Sequence, residues 1–267
     1  MGHFTYADGI AVFQLVFFVP GLLCSIAVAR RHGFRRTSGW IFLAIFCVIR
    51  IVGGAARLAT LSDTTSTTPY TIALICSLLG LSPLLMCSLG LISQTYCSFL
   101  RQPYNNLFST FVVRAVHLPA IIALILCIVG ATRADTPQLI ENEATVHVGI
   151  ALFVVVLVML TILAIGAWLR IHRIGKGEKA LVLASLCALP FLYVRTVYAL
   201  LAVFSHSEVF SLASGSTSSE TTSLCMSVLE EMAVVVIYLA TGLKLPLNTE
   251  GAAETREMGL ADMSSDK

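Results

Sequence analysis

A chain of 267 residues that is 57% hydrophobic and only 12% charged is not an ordinary water-soluble domain, where about a quarter of residues carry charge. Its mean hydropathy is +0.88 and its apolar residues fall in long blocks rather than an amphipathic stripe, so the solvent is lipid. A formal net charge of +2, with no basic stretch interleaved with aromatics, excludes nucleic acid as a partner.

The first apolar run begins near Gly9 without a basic segment before it, so no cleavable signal is expected and the first span acts as its own insertion signal. Runs long enough to cross a ~30 Å hydrocarbon core follow in order at 9–29, 39–61, 70–93, 111–131, 146–169, 180–204 and 224–244. The expected fold is an all-α membrane protein, a seven-transmembrane helix bundle forming one domain over residues 1–245. Its connections are short; the longest, from Ser205 to Ser223, is rich in Ser and Thr and reads as a loop. From Pro246 to Lys267 the tail is polar and charged without apolar periodicity, and it reads as disordered.

Basic residues set the expected orientation. Arg30, Arg31, Arg35 and Arg36 lie in the first loop, Arg101 in the third, Arg170, Arg173, Lys176 and Lys179 in the fifth, and Lys244 ends the last span. The other loops hold only Arg133 as a basic residue, beside Asp63, Asp135, Glu141, Glu143, Glu208 and Glu220. By the positive-inside rule the odd loops and the tail are cytosolic and the N-terminus is lumenal or extracellular. An integral, multi-pass protein of the endoplasmic reticulum is expected rather than one of the plasma membrane.

Eight cysteines form no CxxC pair and no Cys/His ligand spacing, so neither a metal site nor a disulfide framework is expected. Walker, HExxH and GxSxG motifs are absent, which removes support for ATP-driven transport, zinc proteolysis and serine hydrolysis.

Ionisable residues inside spans are costly and normally face the bundle interior or a wet cavity. Here they are Arg50 and Arg57 in the second span, Arg114 and His117 in the fourth, Arg195 in the sixth, and Glu230 and Glu231 in the seventh, with Asp8 at the outer mouth of the first. Arg114 and His117 lie near the cytosolic end, where arginine snorkels to phosphates. The remainder share the outer half of the bundle. Arg50, Gly53, Gly54 and Arg57 follow the spacing i, i+3, i+4, i+7 and so share a face; Arg195 shares one with Tyr198, and Ser227, Glu231 and Tyr238 share another. A polar pocket open to the lumenal side would collect these faces. Pro20, Pro83, Pro119 and Pro190 inside apolar runs suit kinked helices around such a pocket. The same charges have a plain structural use, because an arginine–glutamate pair between helices staples a bundle and small residues permit close packing. Glu230 and Glu231 point about 100° apart on a helix, so one partner can hardly use both.

Four stretches carry a resemblance: RRHGFRRTSGWIFLAIFCVIRIVGGAARLAT from Arg30 to Thr60, GLSPLL at 80–85, LPFLYVRTVYALLAVF at 189–204 and EEMAVVVIYLATGL at 230–243. Together they resemble a fungal family of small seven-span integral membrane proteins, mostly of unknown function, which the membrane-bound terpene cyclase of the ascofuranone pathway resembles in turn. The resemblance covers about residues 8–245. It implies cofactor-independent cyclisation or isomerisation of an epoxidised, lipophilic terpenoid or polyene in secondary metabolism, with the lipid bilayer and a hydrophobic small molecule as partners. In such chemistry an acid protonates or hydrogen-bonds the epoxide oxygen, an internal hydroxyl or alkene attacks, and a base takes the released proton. No family motif assigns the roles residue by residue. Depth and charge make Glu231 the preferred acid, Glu230 the second and Asp8 the partner base; Arg50, Arg57 and Arg195 would hold carboxylates or a developing alkoxide, and Tyr198 and Tyr238 would donate hydrogen bonds or offer ring faces to a carbocation. A seven-span transporter or lipid exporter, and a membrane receptor or sensor, remain the alternatives.

Overall fold

The computed structural model describes residues 5–32, 38–61, 68–99, 106–133, 143–170, 176–205, 209–210 and 216–245. Residues 246–267, expected to be disordered, lie outside the described residues, as do Arg35, Arg36, Arg101, Arg173 and the side chain of Arg114. The chain forms helices α1 (Tyr6–His32), α2 (Ser38–Ala59), α3 (Thr68–Leu79), α4 (Leu81–Phe99), α5 (Asn106–Arg133), α6 (Ala144–Leu169), α7 (Lys176–Phe204), α8 (Thr217–Ser223) and α9 (Leu229–Lys244), with a π-helical turn at Leu224–Val228 joining the last two. No strand occurs among the described residues.

Seven of the resulting stretches are long and apolar enough to cross a membrane. Inside hydrocarbon every backbone N–H and C=O must be satisfied within the chain, which is why these runs are helical from end to end. Their outward faces are apolar: Val16, Leu23, Ile125, Ile162 and Val236 are all well exposed, as expected of residues in contact with lipid.

The third span is the centre of the bundle, since 72% of its most apolar stretch is buried against 28–50% in the other six. It is also split. Pro83 in the first turn of α4 has no N–H to offer the carbonyl four residues back, and the α-helix ends at Leu79 and restarts at Leu81 across a turn at Gly80. By contrast, Pro20, Pro119 and Pro190 lie within continuous helices. Around this centre α2 uses its two glycines on two neighbours. A Cβ at Gly53 would stand 2.9 Å from Cys76 Cβ of α3, and one at Gly54 would stand 3.3 Å from Leu15 of α1. Lipid tails are as apolar as leucine, so this close packing and the interhelical polar contacts hold the helices together.

The C-terminal ends of α1 and α9 meet at one end of the bundle. Arg31 Nη1 donates to the Leu243 carbonyl at 3.0 Å and His32 Nε2 lies 2.9 Å from that of Gly242, each contact using a carbonyl of the last helical turn that has no partner within the helix. Tyr6 and Lys244 therefore mark opposite ends, as an odd number of crossings requires.

The helix that carries the seventh apolar run starts at Thr217, ahead of the run itself, so the last seven residues of the Ser/Thr-rich stretch, expected to be loop, are helix. Ser216 caps it, its hydroxyl accepting from the Ser218 N–H, and Thr221 and Thr222 return their hydroxyls to carbonyls one turn back. Apolar periodicity does not reveal a helix whose residues satisfy their polar groups locally. The longer helix places Glu231 about 21 Å along its axis from Thr217 at ~1.5 Å per residue.

Candidate functional site

Three of the expected charges converge in the buried middle of the bundle. Arg50 Nη2 of α2 and Arg195 Nε of α7 both donate to Glu231 Oε1 of α9, the second contact at 2.8 Å. Glu231 is 0% exposed, and the two arginine side chains 5% and 3%. Arg195 Nη2 donates to the Ser77 carbonyl at 2.8 Å, in the last turn of α3 before the break. Gly80, at the break itself, gives the Arg50 guanidinium its room: a Cβ there would fall 2.9 Å from Nη2 and 3.2 Å from Nε. The guanidiniums also lie over aromatic faces, Arg50 over Phe46 and Arg195 over Tyr198, each 5.8 Å from the ring centroid. Two guanidiniums on one carboxylate oxygen leave a positive excess. Glu231 Oε2 and Arg50 Nε are buried without a hydrogen-bond partner among the described residues.

A second ion pair stands two turns further out on α2. Arg57 Nη2 donates to Glu220 Oε1 at 3.0 Å, and the Arg57 guanidinium lies 5.3 Å from the centroid of the Tyr70 ring. Both side chains are about one-fifth exposed, at 21% and 23%. Glu220 belongs to α8, and only the early start of the seventh span brings it here.

Between the two pairs lies a cavity of about 100 Å³. Its polar lining includes Gln14, Arg50, Arg57, Tyr198 and Glu220 together with three serines, and Gly53 and Gly54 form part of its wall. The expected face of α2, two arginines flanking a glycine notch, is thus the face that lines a cavity, and Tyr198 joins it from α7.

The other expected members stand elsewhere. Asp8 is buried, but its Oδ2 accepts from the backbone N–H and the hydroxyl of Thr5. Thr5 and Asp8 stand three residues apart across the start of α1, and the carboxylate reaches back to the Thr5 N–H as in one half of a capping box, while the Asp8 N–H donates to the Thr5 backbone carbonyl. Glu230 is half-buried, makes no ion pair among the described residues and does not line the cavity. Tyr238 is fully buried seven residues beyond Glu231, and its hydroxyl pairs with Ser88 of α4 at 2.6 Å. Arg195 and Glu231 stand behind the lining rather than in it. The carboxylate that does line the cavity, Glu220, carries no signal in an apolar-run reading; its only trace is its place in the connection between two spans.

The polar part of the lining offers guanidinium donors, a carboxylate and hydroxyls inside an apolar bundle. Such a set can grip an oxygen function and move a proton. Among the described residues no group of three or more His, Cys, Asp or Glu is placed to hold a metal ion.

The chain belongs to the family described as a domain of unknown function, DUF7702, which matches residues 4–248. No curated protein and no solved structure matches it.

Proposed function

We propose that this member of the DUF7702 family is a membrane-embedded enzyme that binds the oxygenated end of a lipophilic small molecule in the cavity between α1, α2, α3, α7 and α8, and rearranges it by acid–base chemistry. The observation that carries this reading is the cavity itself: two arginines and a carboxylate facing one small space inside a bundle otherwise poor in charge. Charged groups at such depth are costly and earn their place by function. Sequence resemblance supplies the reaction type, cyclisation or isomerisation of an epoxidised terpenoid or polyene without a cofactor.

In this reading Arg50 and Arg57 hold the epoxide oxygen as its C–O bond breaks, Tyr198 faces the same space, and Glu220 takes the proton released by the attacking group as the ring closes and returns it to the resulting alkoxide. Glu231 acts through its two arginines rather than on the substrate, fixing Arg50 at the cavity wall. The arginine-rich odd loops support a topology with the N-terminus in the lumen and the tail in the cytosol, which opens the Arg57–Glu220 end toward the lumen. The endoplasmic reticulum suits an enzyme acting on a lipophilic intermediate.

A second reading, transport, is favoured by one feature, the split third span beside Arg50 and Arg195, because interrupted helices line substrate sites in many transporters. Metabolite comparison of strains with and without the protein separates the two. Enzymatic action is supported by accumulation of an epoxidised precursor with loss of its cyclised isomer; an unchanged set of compounds redistributed across the membrane supports transport.

A further inference from the structure

Gln14 interrupts the apolar run of α1, in the stretch FQLVFF, and its side chain lines the polar cavity. Inside lipid such an amide is ordinarily glue, hydrogen-bonded across to a neighbouring helix. That use is not made of it here, because Gln14 is half-buried and forms no hydrogen bond among the described residues. Two other polar groups of α1 are satisfied within the helix or at its start: Ser25 returns its hydroxyl to the Leu22 carbonyl, and Asp8 is turned back onto Thr5. An amide at membrane depth without a protein partner is costly, so its place is explained by a group that enters the cavity. We propose that Gln14 is a further catalytic residue of this site, its amide N–H donating to the substrate oxygen that Arg50 and Arg57 hold. This rests on the reading above for the reaction and adds a residue to it.

The packing of α1 on α2 fixes the height of this amide. A Cβ at Gly54 would stand 3.3 Å from Leu15 and 3.4 Å from the Ala11 carbonyl oxygen, so the turn from Ala11 to Leu15 abuts Gly54. Gln14 belongs to that turn. Along α2, Arg50 lies ~6 Å from Gly54 in one direction and Arg57 ~4.5 Å in the other. Gln14 therefore enters the cavity at a height between the two arginines. Both guanidiniums come to the site with carboxylate partners, Glu231 and Glu220, whereas the amide is uncommitted.

The chemistry has a use for one more donor at that point. As the substrate's attacking group bonds to an epoxide carbon, the electron pair of the broken C–O bond moves to the oxygen. The proton lost by the attacking group passes through Glu220 to the alkoxide, so no atom is gained or lost. Until that proton arrives the oxygen carries negative charge, and a hydrogen bond to it is stronger than one to the ether oxygen of the bound substrate. An interaction that strengthens toward the transition state lowers the barrier rather than only tightening binding. A neutral amide supplies the donor without adding a charge to the bundle, and it leaves proton transfer to Glu220.

The test uses microsomes from strains that carry wild-type, Gln14→Met or Gln14→Glu protein at equal levels in place of the native copy. The probe is the epoxidised compound that accumulates in the strain lacking the protein, purified and added back, with formation of its cyclised isomer followed over a range of concentrations. Methionine keeps the length of glutamine without a donor, and glutamate keeps its shape with the N–H donors replaced by oxygen. Both variants should lower kcat by roughly 10²-fold or more, the usual worth of one donor to a developing oxyanion, with KM nearly unchanged. The thermal midpoint of purified Gln14→Met should equal or exceed that of wild type, since the amide it removes ties α1 to no other helix. Wild-type kcat in Gln14→Met overturns the assignment and leaves the cavity's reaction standing, as does a raised KM with kcat unchanged. Wild-type kcat in Gln14→Glu overturns it by showing that the amide carbonyl, not the N–H, is the group in use. A Gln14→Met midpoint several degrees below wild type, or failure of that variant to accumulate, overturns it in favour of helix packing. If no epoxidised compound accumulates in the strain lacking the protein, the enzymatic reading falls and this inference with it.

Discussion

Arg57 and Glu220 meet at 3.0 Å at the more exposed end of the polar cavity, joining α2 to a helix whose own sequence has no apolar residue. An ion pair this exposed contributes only about 0–1 kcal/mol to stability. Its use is therefore in the site. Glu220→Gln should leave the thermal midpoint within a few degrees of wild type and lower turnover by roughly 10²-fold or more, the usual worth of a positioned base. Both quantities are measured on one purified sample; unchanged turnover removes Glu220 from proton transfer.

Glu231 behaves differently because it is fully buried and answers two guanidiniums at once. Glu231→Gln leaves Arg50 and Arg195 facing each other and should cost about 3–5 kcal/mol, read as a lower thermal midpoint and a smaller yield of folded protein. Replacing all three by apolar residues of similar volume should recover much of that loss. A Glu231→Gln protein with wild-type stability and no turnover would return the acid's role to Glu231.

The break in the third span makes a steric prediction. Gly80→Ala puts a Cβ 2.9 Å from Arg50 Nη2 and should destabilise by about 1–3 kcal/mol, because the guanidinium is pinned by Glu231 and has little room to yield. Gly177→Ala meets nothing within 4 Å and serves as the control, with a midpoint equal to wild type or higher. Equal effects at both positions would mean that the Arg50 guanidinium does not depend on the space at Gly80.

Topology is tested by inserted glycosylation acceptors. Acceptors at Ser216, the cap of α8, should be modified, and acceptors near Gly175, in the arginine-rich fifth loop, should not. Modification of both, or of Gly175 alone, contradicts a lumenal N-terminus.

What the sequence made legible follows from the cost of charge in lipid. Arg50, Arg57 and Arg195 interrupt apolar runs, so their grouping and the face that Arg57 shares with Gly53 and Gly54 can be read directly. Glu220 could not be found that way. Its helix, Thr217–Ser223, satisfies its hydroxyls on its own carbonyls and has no apolar stripe, so it reads as a loop until tertiary contacts are known. Tyr238 shows the converse. Its spacing from Glu231 gives the right face, but seven residues are about 10 Å along a helix, and at that depth its partner is Ser88. Asp8 was legible in a pattern other than charge: Thr5 followed three residues later by an acid, ahead of an apolar run, marks a helix start.

The most direct measurement compares metabolites from a strain lacking the protein with those from strains carrying Arg57→Gln and Glu220→Gln at wild-type protein levels. The expected result is one epoxidised, lipophilic precursor accumulating in all three, with its cyclised isomer lost in the first and strongly reduced in the others. Accumulation only in the strain lacking the protein, with both cavity variants indistinguishable from wild type, would contradict the assignment of the reaction to the Arg50–Arg57–Glu220 cavity.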